Sequence, residues 1–429
     1  MTERIIISNF LTIKKASIEV KRINVIIGPQ ANGKSLIAKL LHFFRTFSTE
    51  FYEGIRKDRG KRETDKALLD LFERRFPRYT WDGASFSIIY ELNDISIKIS
   101  GRKNSSGKTS LSISYSDQIV KIYNSKKRTF ARKLAEARAE ERPGRRTSFI
   151  ENQVFYDCVV EPLRDGVYGK IFGSPIFIPA TRSFFANLQK NIFTFLASNL
   201  DIDPYLKEFG SLYESSKRWY KDAYLGERKK QKELLDETYR AVEAIISGDY
   251  EFHDEQDWIV NKGRRINLAN ASSGQQEALP MLLTLCVWPV LRASEHGNMC
   301  FIEEPEAHLF PTSQGHIVSI LSQFYSKLET SFFITTHSPY IVSALNNFIM
   351  AGDRVAAGLI SEQEFTSING GGRSIQFEHV SAYTMSNGEA HSISDTEYRL
   401  IGAEMLDGIS EHFESVMNKM LEIGGGNGV

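Results

Sequence analysis

Gly28-Pro29-Gln30-Ala31-Asn32-Gly33-Lys34-Ser35 decides how the rest of this sequence is read. The octapeptide fits G-x-x-x-x-G-K-[ST], and its flanks are those the pattern requires. Before it, Ile23 to Ile27 is an apolar run of strand length; after it, Leu36, Leu40, Leu41 and Phe44 recur at helical spacing. A glycine-rich turn between a strand and a helix lets backbone N–H groups close around phosphate oxygens while the helix N-terminus presents its positive end. In that reading Lys34 reaches the β and γ phosphates, and the Ser35 hydroxyl ligates Mg²⁺. The bland alternative is a plain turn before a helix, and the context argues against it.

Three further stretches gain meaning from that loop. Met299-Cys300-Phe301-Ile302-Glu303-Glu304-Pro305-Glu306 reads as a short buried strand that delivers its acids at the carboxyl edge of a parallel sheet, where ligands bind. Glu303 would then hold the magnesium, and Glu304 would polarise an attacking water as general base. Alone, the same residues also suit an acidic helix start. Ile334-Thr335-Thr336-His337-Ser338 ends a second apolar strand, placing His337 where it can bond the γ-phosphate or the water. A lone histidine is more often structural, so its position carries the reading. Ala271-Ser272-Ser273-Gly274-Gln275-Gln276 opens a helix with hydroxyls and exposed backbone, a possible anion site at Ser272, Ser273, Gly274 and Gln275. Read alone it is only a good N-cap.

The chain of 429 residues is long enough for two or three domains at about 150 residues each. Its 53 basic and 53 acidic residues cancel, so any nucleic-acid contact has to come from a local patch. Cys158, Cys286 and Cys300 are far apart, which suits reduced core thiols in a cytosolic protein. MTERIIISNF lacks the features of a signal peptide, and no run of about 18 apolar residues appears, so no membrane span is expected. The expected location is cytoplasmic.

Residues 1–123 read as an N-terminal lobe whose stretch from Phe86 to Tyr123 alternates as antiparallel hairpins. Residues 124–183 read as a basic linker and a return to the core, with Lys126 to Arg146 as an exposed helix or linker. Residues 184–259 read as a compact helical insertion, and 260–429 as a C-terminal lobe ending in a helix through Leu400, Ile401, Met405, Leu406, Ile409 and Phe413. The fold class expected is α/β, with a central mostly parallel sheet, an antiparallel β-subdomain and a helical insertion.

These four elements, in this order, resemble the Walker A, signature, Walker B and histidine-switch motifs of ABC-type P-loop ATPases, with Ala271 to Gln276 similar to LSGGQQ. The resemblance implies ATP and Mg²⁺ as ligands. It also implies a head-to-tail homodimer in which one subunit's signature seals the nucleotide on the other's P-loop, with Glu306 to Leu309 at the D-loop between the sites. The start IIISNF…VIIGPQANGKS, Ile178 to Ser183, IEEPEAHLFP and THSPYIV are similar to the AAA15/AAA21 (OLD-like) branch, which occurs in OLD nucleases and bacterial anti-phage defence systems. Glu303 stands where that family usually has Asp, Ala271 replaces the signature leucine and Ser273 its first glycine. Gln153 and Arg182 are the candidates for the missing Q-loop glutamine.

An OLD nuclease would add clustered carboxylates for two metals. Asp395, Glu397, Glu404 and Asp407 read instead as a solvated helix face. The expectation is therefore an ATPase switch controlling a separate nuclease or toxin effector. The competing expectation is a DNA-repair or DNA-end-binding ATPase that clamps nucleic acid through Lys126 to Arg146. A transporter motor is disfavoured by the insertion and by the lack of membrane-coupling segments.

Overall fold

A computed structural model describes residues 2–139, 147–188, 202–220, 231–292, 298–402 and 415. Its centre is a single eleven-stranded mixed sheet. The strands run β1 (Glu3–Phe10), β2 (Ile13–Glu19), β3 (Ile23–Ile27), β4 (Phe86–Leu92), β5 (Ile95–Lys103), β6 (Thr109–Tyr115) and β7 (Ile176–Ile178). After them β8 (Asp249–His253), β9 (Gln256–Asn261) and β10 (Arg264–Asn267) form a small separate sheet. The main sheet resumes with β11 (Met299–Glu303), β12 (Ser331–Thr336), β13 (Val380–Ser386) and β14 (Glu389–Ser392).

The spatial order β6-β5-β4-β1-β2-β14-β13-β3-β12-β11-β7 divides the sheet into two halves. From β13 to β7 every pairing is parallel. From β6 to β2 every pairing is antiparallel. The hairpins are thus not a detached subdomain. β14 pairs with β13 and also meets β2 at Glu389–Lys15, so the two halves share one ladder.

β3 and β11 are buried at every residue, as parallel strands covered on both faces must be. Side-chain alternation sends Val25, Ile27, Ile302 and Ile334 to one core, and Ile26, Phe301 and Phe333 to the other. The helix Lys34–Arg45 covers the second face with Ile37, Leu40, Leu41 and Phe44. The helix Ser273–Leu291 covers the first; it is apolar nearly all round and almost wholly buried, as such a composition requires.

Several expectations need correction. Of the two readings of the basic run, helix and linker, the helix holds as far as the structure describes it: Asp117–Ala139 is one largely exposed helix, not a linker, that buries Ile119 and Phe130 against the antiparallel half, while residues 140–146 lie outside the described set. The insertion is helical only in part. Helices Pro204–Trp219 and Lys232–Ile246 lead into the β8–β9–β10 meander, and Phe209, Tyr213, Leu235 and Val242 join the core beneath the helix Ser273–Leu291. Leu400–Ile401 is a strand paired with Ser394–Asp395, not helix. The remainder of the expected closing helix, with Glu404 and Asp407, lies outside the described residues.

Candidate active site

β12 lies between β3 and β11, and that order assembles the site. Ile27 of β3 is in register with Thr336, and Glu303 of β11 with Thr335. The chain leaving each strand therefore emerges at the same carboxyl edge: the glycine-rich loop on one side, Glu303 and Glu304 on the other, His337 between.

The loop keeps its shape by close backbone packing. Gly28 has φ +149°, and a Cβ there would lie 2.8 Å from the Met385 carbonyl oxygen. Gly33, at φ +89°, would press its Cβ on Ile13 and Thr12 of the β1–β2 turn. Pro29, Gln30 and Ala31 are exposed, and the Asn32 side-chain amide donates to the Pro29 and Gln30 carbonyls.

Lys34 is buried inside this ring. Its Nζ donates to the Gly28 carbonyl at 2.8 Å and the Pro29 carbonyl at 2.7 Å, and stands 3.3 Å from His337 Nδ1. An ammonium has no lone pair, so Nδ1 is the acceptor and the ring proton sits on Nε2. That nitrogen faces Glu304 Oε1 at 3.2 Å. Lys34, His337 and Glu304 thus form one continuous polar chain across three strand ends. Burial lowers the Lys34 pKa, while Glu304 and Glu306 pull it up. The Glu306 carboxylate accepts the His337 backbone N–H at 2.7 Å and so fixes the histidine turn.

Glu303 is buried, and its Oε2 accepts the Ala180 N–H at 3.1 Å. Burial raises its pKa; Lys39, the Ala180 N–H and the Ser35 hydroxyl favour the charged form. Its Oε1 is buried without a hydrogen bond of normal geometry, as are Glu306 Oε2 and Thr335 Oγ1. An unpartnered Glu303 oxygen, on a carboxylate that the Ser35 hydroxyl also reaches, fits a hydrated Mg²⁺, which commonly takes only one or two protein carboxylates and keeps several waters. Among the described residues no group of three or more His, Cys, Asp or Glu could hold a metal.

The signature residues stand apart from this cluster. Ser272 caps the helix Ser273–Leu291 in a reciprocal box with Gln275, whose amide donates to the Ile246 carbonyl. Ser272 and Ser273 are exposed; Gly274 is buried against the His308 carbonyl. Among the described residues, no hydrogen bond joins Ser272, Ser273, Gly274 or Gln275 with the glycine-rich loop. The link runs instead through Glu277 and Arg182, which the sequence left obscure. Gln153 bonds Asp157 on an exposed helix and takes no part. Arg182, the other Q-loop candidate, is fully buried between the signature helix and the end of β11.

Residues 23–343 match the family model described as "AAA domain, putative AbiEii toxin, Type IV TA system". The chain belongs to this AAA family. A search among curated proteins finds no match. Among solved structures, this AAA domain is similar to the SMC head domain from Thermotoga maritima, at 12% identity, 91% of this chain, 98% of that chain and a TM-score of 0.33. It is also similar to an Smc head with an extended coiled coil, bound to the C-terminal domain of ScpA derived from Pyrococcus furiosus (12%, 96%, 99%, 0.36). The recombination mediator protein RecF-ATPrS in the RecFOR pathway gives 13%, 92%, 98% and 0.30. Among the described residues no helix is long and apolar enough to cross a membrane.

Proposed function

We propose that this AAA domain binds ATP with Mg²⁺ and hydrolyses it at two sites shared by a head-to-tail homodimer. The observation that carries this reading is the Lys34–His337–Glu304 chain at three adjacent strand ends. Entry of the triphosphate draws Lys34 from the Gly28 and Pro29 carbonyls onto the β and γ oxygens. Glu304 then takes the proton of the attacking water, and His337 holds the Glu304 carboxylate through Nε2–H. Ser35 and Glu303 would hold Mg²⁺, whose chemistry is to neutralise the developing phosphate charge. Exposed Ser272 and Ser273 are free to cap the partner subunit's nucleotide, which the same subunit's loop does not let them reach by any hydrogen bond seen here.

The output we assign to the cycle is control of a separate toxin or nuclease. Support comes from the toxin–antitoxin description of the family. Of the cations invoked for the nucleic-acid clamp, two are engaged within the chain: Lys126 donates to the Cys158 carbonyl and Lys127 to the Asp58 and Arg59 carbonyls.

Glu304→Gln is the deciding variant. Phosphate release should fall about 10²–10⁴-fold, the usual worth of a general base. Light scattering with excess ATP and Mg²⁺ should show a stable dimer. A variant that turns over like wild type, or stays monomeric under ATP, removes the proposal. Co-expression with the product of the neighbouring reading frame tests the output: its toxicity should differ between Lys34→Ala and Glu304→Gln backgrounds.

A further inference from the structure

Arg182 lies just after β7 and is fully buried, although a guanidinium is rarely found without solvent. Its Nε donates to the Glu277 carbonyl at 2.9 Å. One terminal nitrogen donates to the Pro179 and Glu303 carbonyls at 2.9 and 2.7 Å, and the other to the Glu304 carbonyl at 2.9 Å. The backbone joins in: Arg182 N–H donates to Glu277 Oε2, while Ser183 N–H and Oγ–H both donate to Glu277 Oε1. Apart from Pro179, three residues back in the same loop, every partner belongs either to the start of the signature helix, at Glu277, or to the junction that carries the paired acids.

That junction is strained. Glu304 sits at φ +44°, a conformation that non-glycine residues rarely adopt. Three bonds pin it: its N–H donates to the Thr335 carbonyl at 2.8 Å, and its carbonyl accepts from the Ala307 N–H at 3.1 Å and from Arg182 at 2.9 Å. The Glu304 side chain can face His337 only while the backbone holds this left-handed turn. A planar, forked guanidinium suits the task because it can grip successive carbonyls at fixed angles, which an ammonium cannot do.

The geometry points to Arg182 as a positioning residue: with Glu277, it ties the pose of the Glu304 carboxylate to the seating of the signature helix. The inference rests on the ATPase reading above and deepens it. In a head-to-tail dimer the signature of a subunit serves one nucleotide and its Glu304 serves the other. The Arg182–Glu277 link therefore passes the closure of one site to the general base of its neighbour, within a single subunit. The coupling runs through a contiguous buried network whose members are all named above.

Arg182→Lys keeps the charge and loses the fork; Ser183→Ala removes one of the bonds that orient Glu277 and leaves the fold least disturbed. Both are measured for affinity towards a fluorescent ATP analogue, for kcat and KM, and in combination with Glu304→Gln. Because the glycine-rich loop is untouched, analogue affinity should hold within about threefold. The kcat should fall about 10–100-fold for Arg182→Lys, as for a misplaced catalytic group, and less for Ser183→Ala. In the Glu304→Gln background neither change should lower residual turnover further, since both act through that carboxylate. Full multiplicative losses in the double variants, or loss of analogue binding together with kcat, would make the network a structural brace and overturn the inference. If wild type hydrolyses no ATP, or Glu304→Gln is as active as wild type, the ATPase reading fails instead.

Discussion

Lys34 has three N–H bonds and all have partners: two loop carbonyls and His337 Nδ1. A phosphate must outcompete those partners, and it can, because a charge-assisted bond to an anionic oxygen is roughly twice as strong as one to a neutral carbonyl. Lys34→Ala forfeits such bonds, each worth about 1.5–3 kcal/mol. ATP affinity should therefore drop at least about tenfold per bond lost, read by equilibrium binding of a fluorescent analogue. A second residue prediction concerns His42, eight places along the same helix. It is fully buried between Phe177, Tyr205 and Phe301, with ring centroids 5.3–5.5 Å away, and neither ring nitrogen has a hydrogen-bond partner among the described residues. Burial pushes its pKa well below the ordinary value, with Arg75 and Arg45 adding to the effect. The unfolded chain then binds a proton below about pH 6.5 that the folded chain refuses, so stability falls as pH drops through that range. Against His42→Leu, wild type should lose about 1.4 kcal/mol between about pH 7.5 and about pH 5.5. Urea denaturation at the two pH values measures it, and equal slopes would show that His42 does not titrate as its burial demands.

At the scale of elements, the signature helix meets the D-loop with no room to spare. A Cβ on Gly274 would stand 2.7 Å from the His308 carbonyl oxygen, in a turn where His308 itself has φ +59°. Gly315, in the helix Pro311–Lys327, has nothing within 4 Å of an added Cβ. Replacing a helical glycine by alanine gains about 1 kcal/mol of propensity where space allows, whereas overpacking costs about 1–3 kcal/mol. Gly315→Ala should thus stabilise and Gly274→Ala destabilise in urea, the latter also weakening ATP-driven dimerisation; the same sign at both positions would refute the packing argument. Which elements were legible follows from what each depends on. β3, β11 and β12 are continuous apolar runs ending in chemistry-bearing residues, so period and motif found them together. β8 and most of β9 fall within residues 184–259, expected to be helical, because their residues alternate weakly; β10 lies just beyond, in the expected C-terminal lobe. Their turns, Asp254-Glu255 and Lys262-Gly263, carry positive φ at both central positions, the geometry of tight hairpins. Lys262-Gly263 was the one local signal, and Asp254-Glu255 gave none. Arg182 is legible in the sequence only as a candidate for the missing Q-loop position. Its setting comes from the Glu277, Glu303 and Glu304 carbonyls, all far away in the chain, with Pro179 the one near partner, and no local pattern encodes them.

For the whole molecule, the decisive question is whether each site draws on two chains. On the proposed head-to-tail reading it does. Lys34, His337 and Glu304 are joined by contacts within one subunit, while exposed Ser272 and Ser273 bond to nothing at that site. The insertion reinforces the arrangement from both ends: Asp203 pairs with Lys39 on the loop helix at 2.5 Å, and Ile246 receives Gln275 of the signature. Within one subunit the insertion thus ties to both the loop helix and the signature, and on the proposed reading closure comes from a second copy. Mixing Lys34→Ala with Ser272→Arg subunits exposes this directly. Each variant alone has two dead sites, one defect in each. In the mixed dimer both defects fall in the same site and the other is assembled from intact parts. Random exchange between isologous subunits makes half the dimers mixed, so activity should recover to at most about a quarter of wild type. Recovery should peak at equal proportions of the two variants. If activity stays at the sum of the two inactive proteins at every ratio, each subunit completes its own site and the shared-site dimer is wrong.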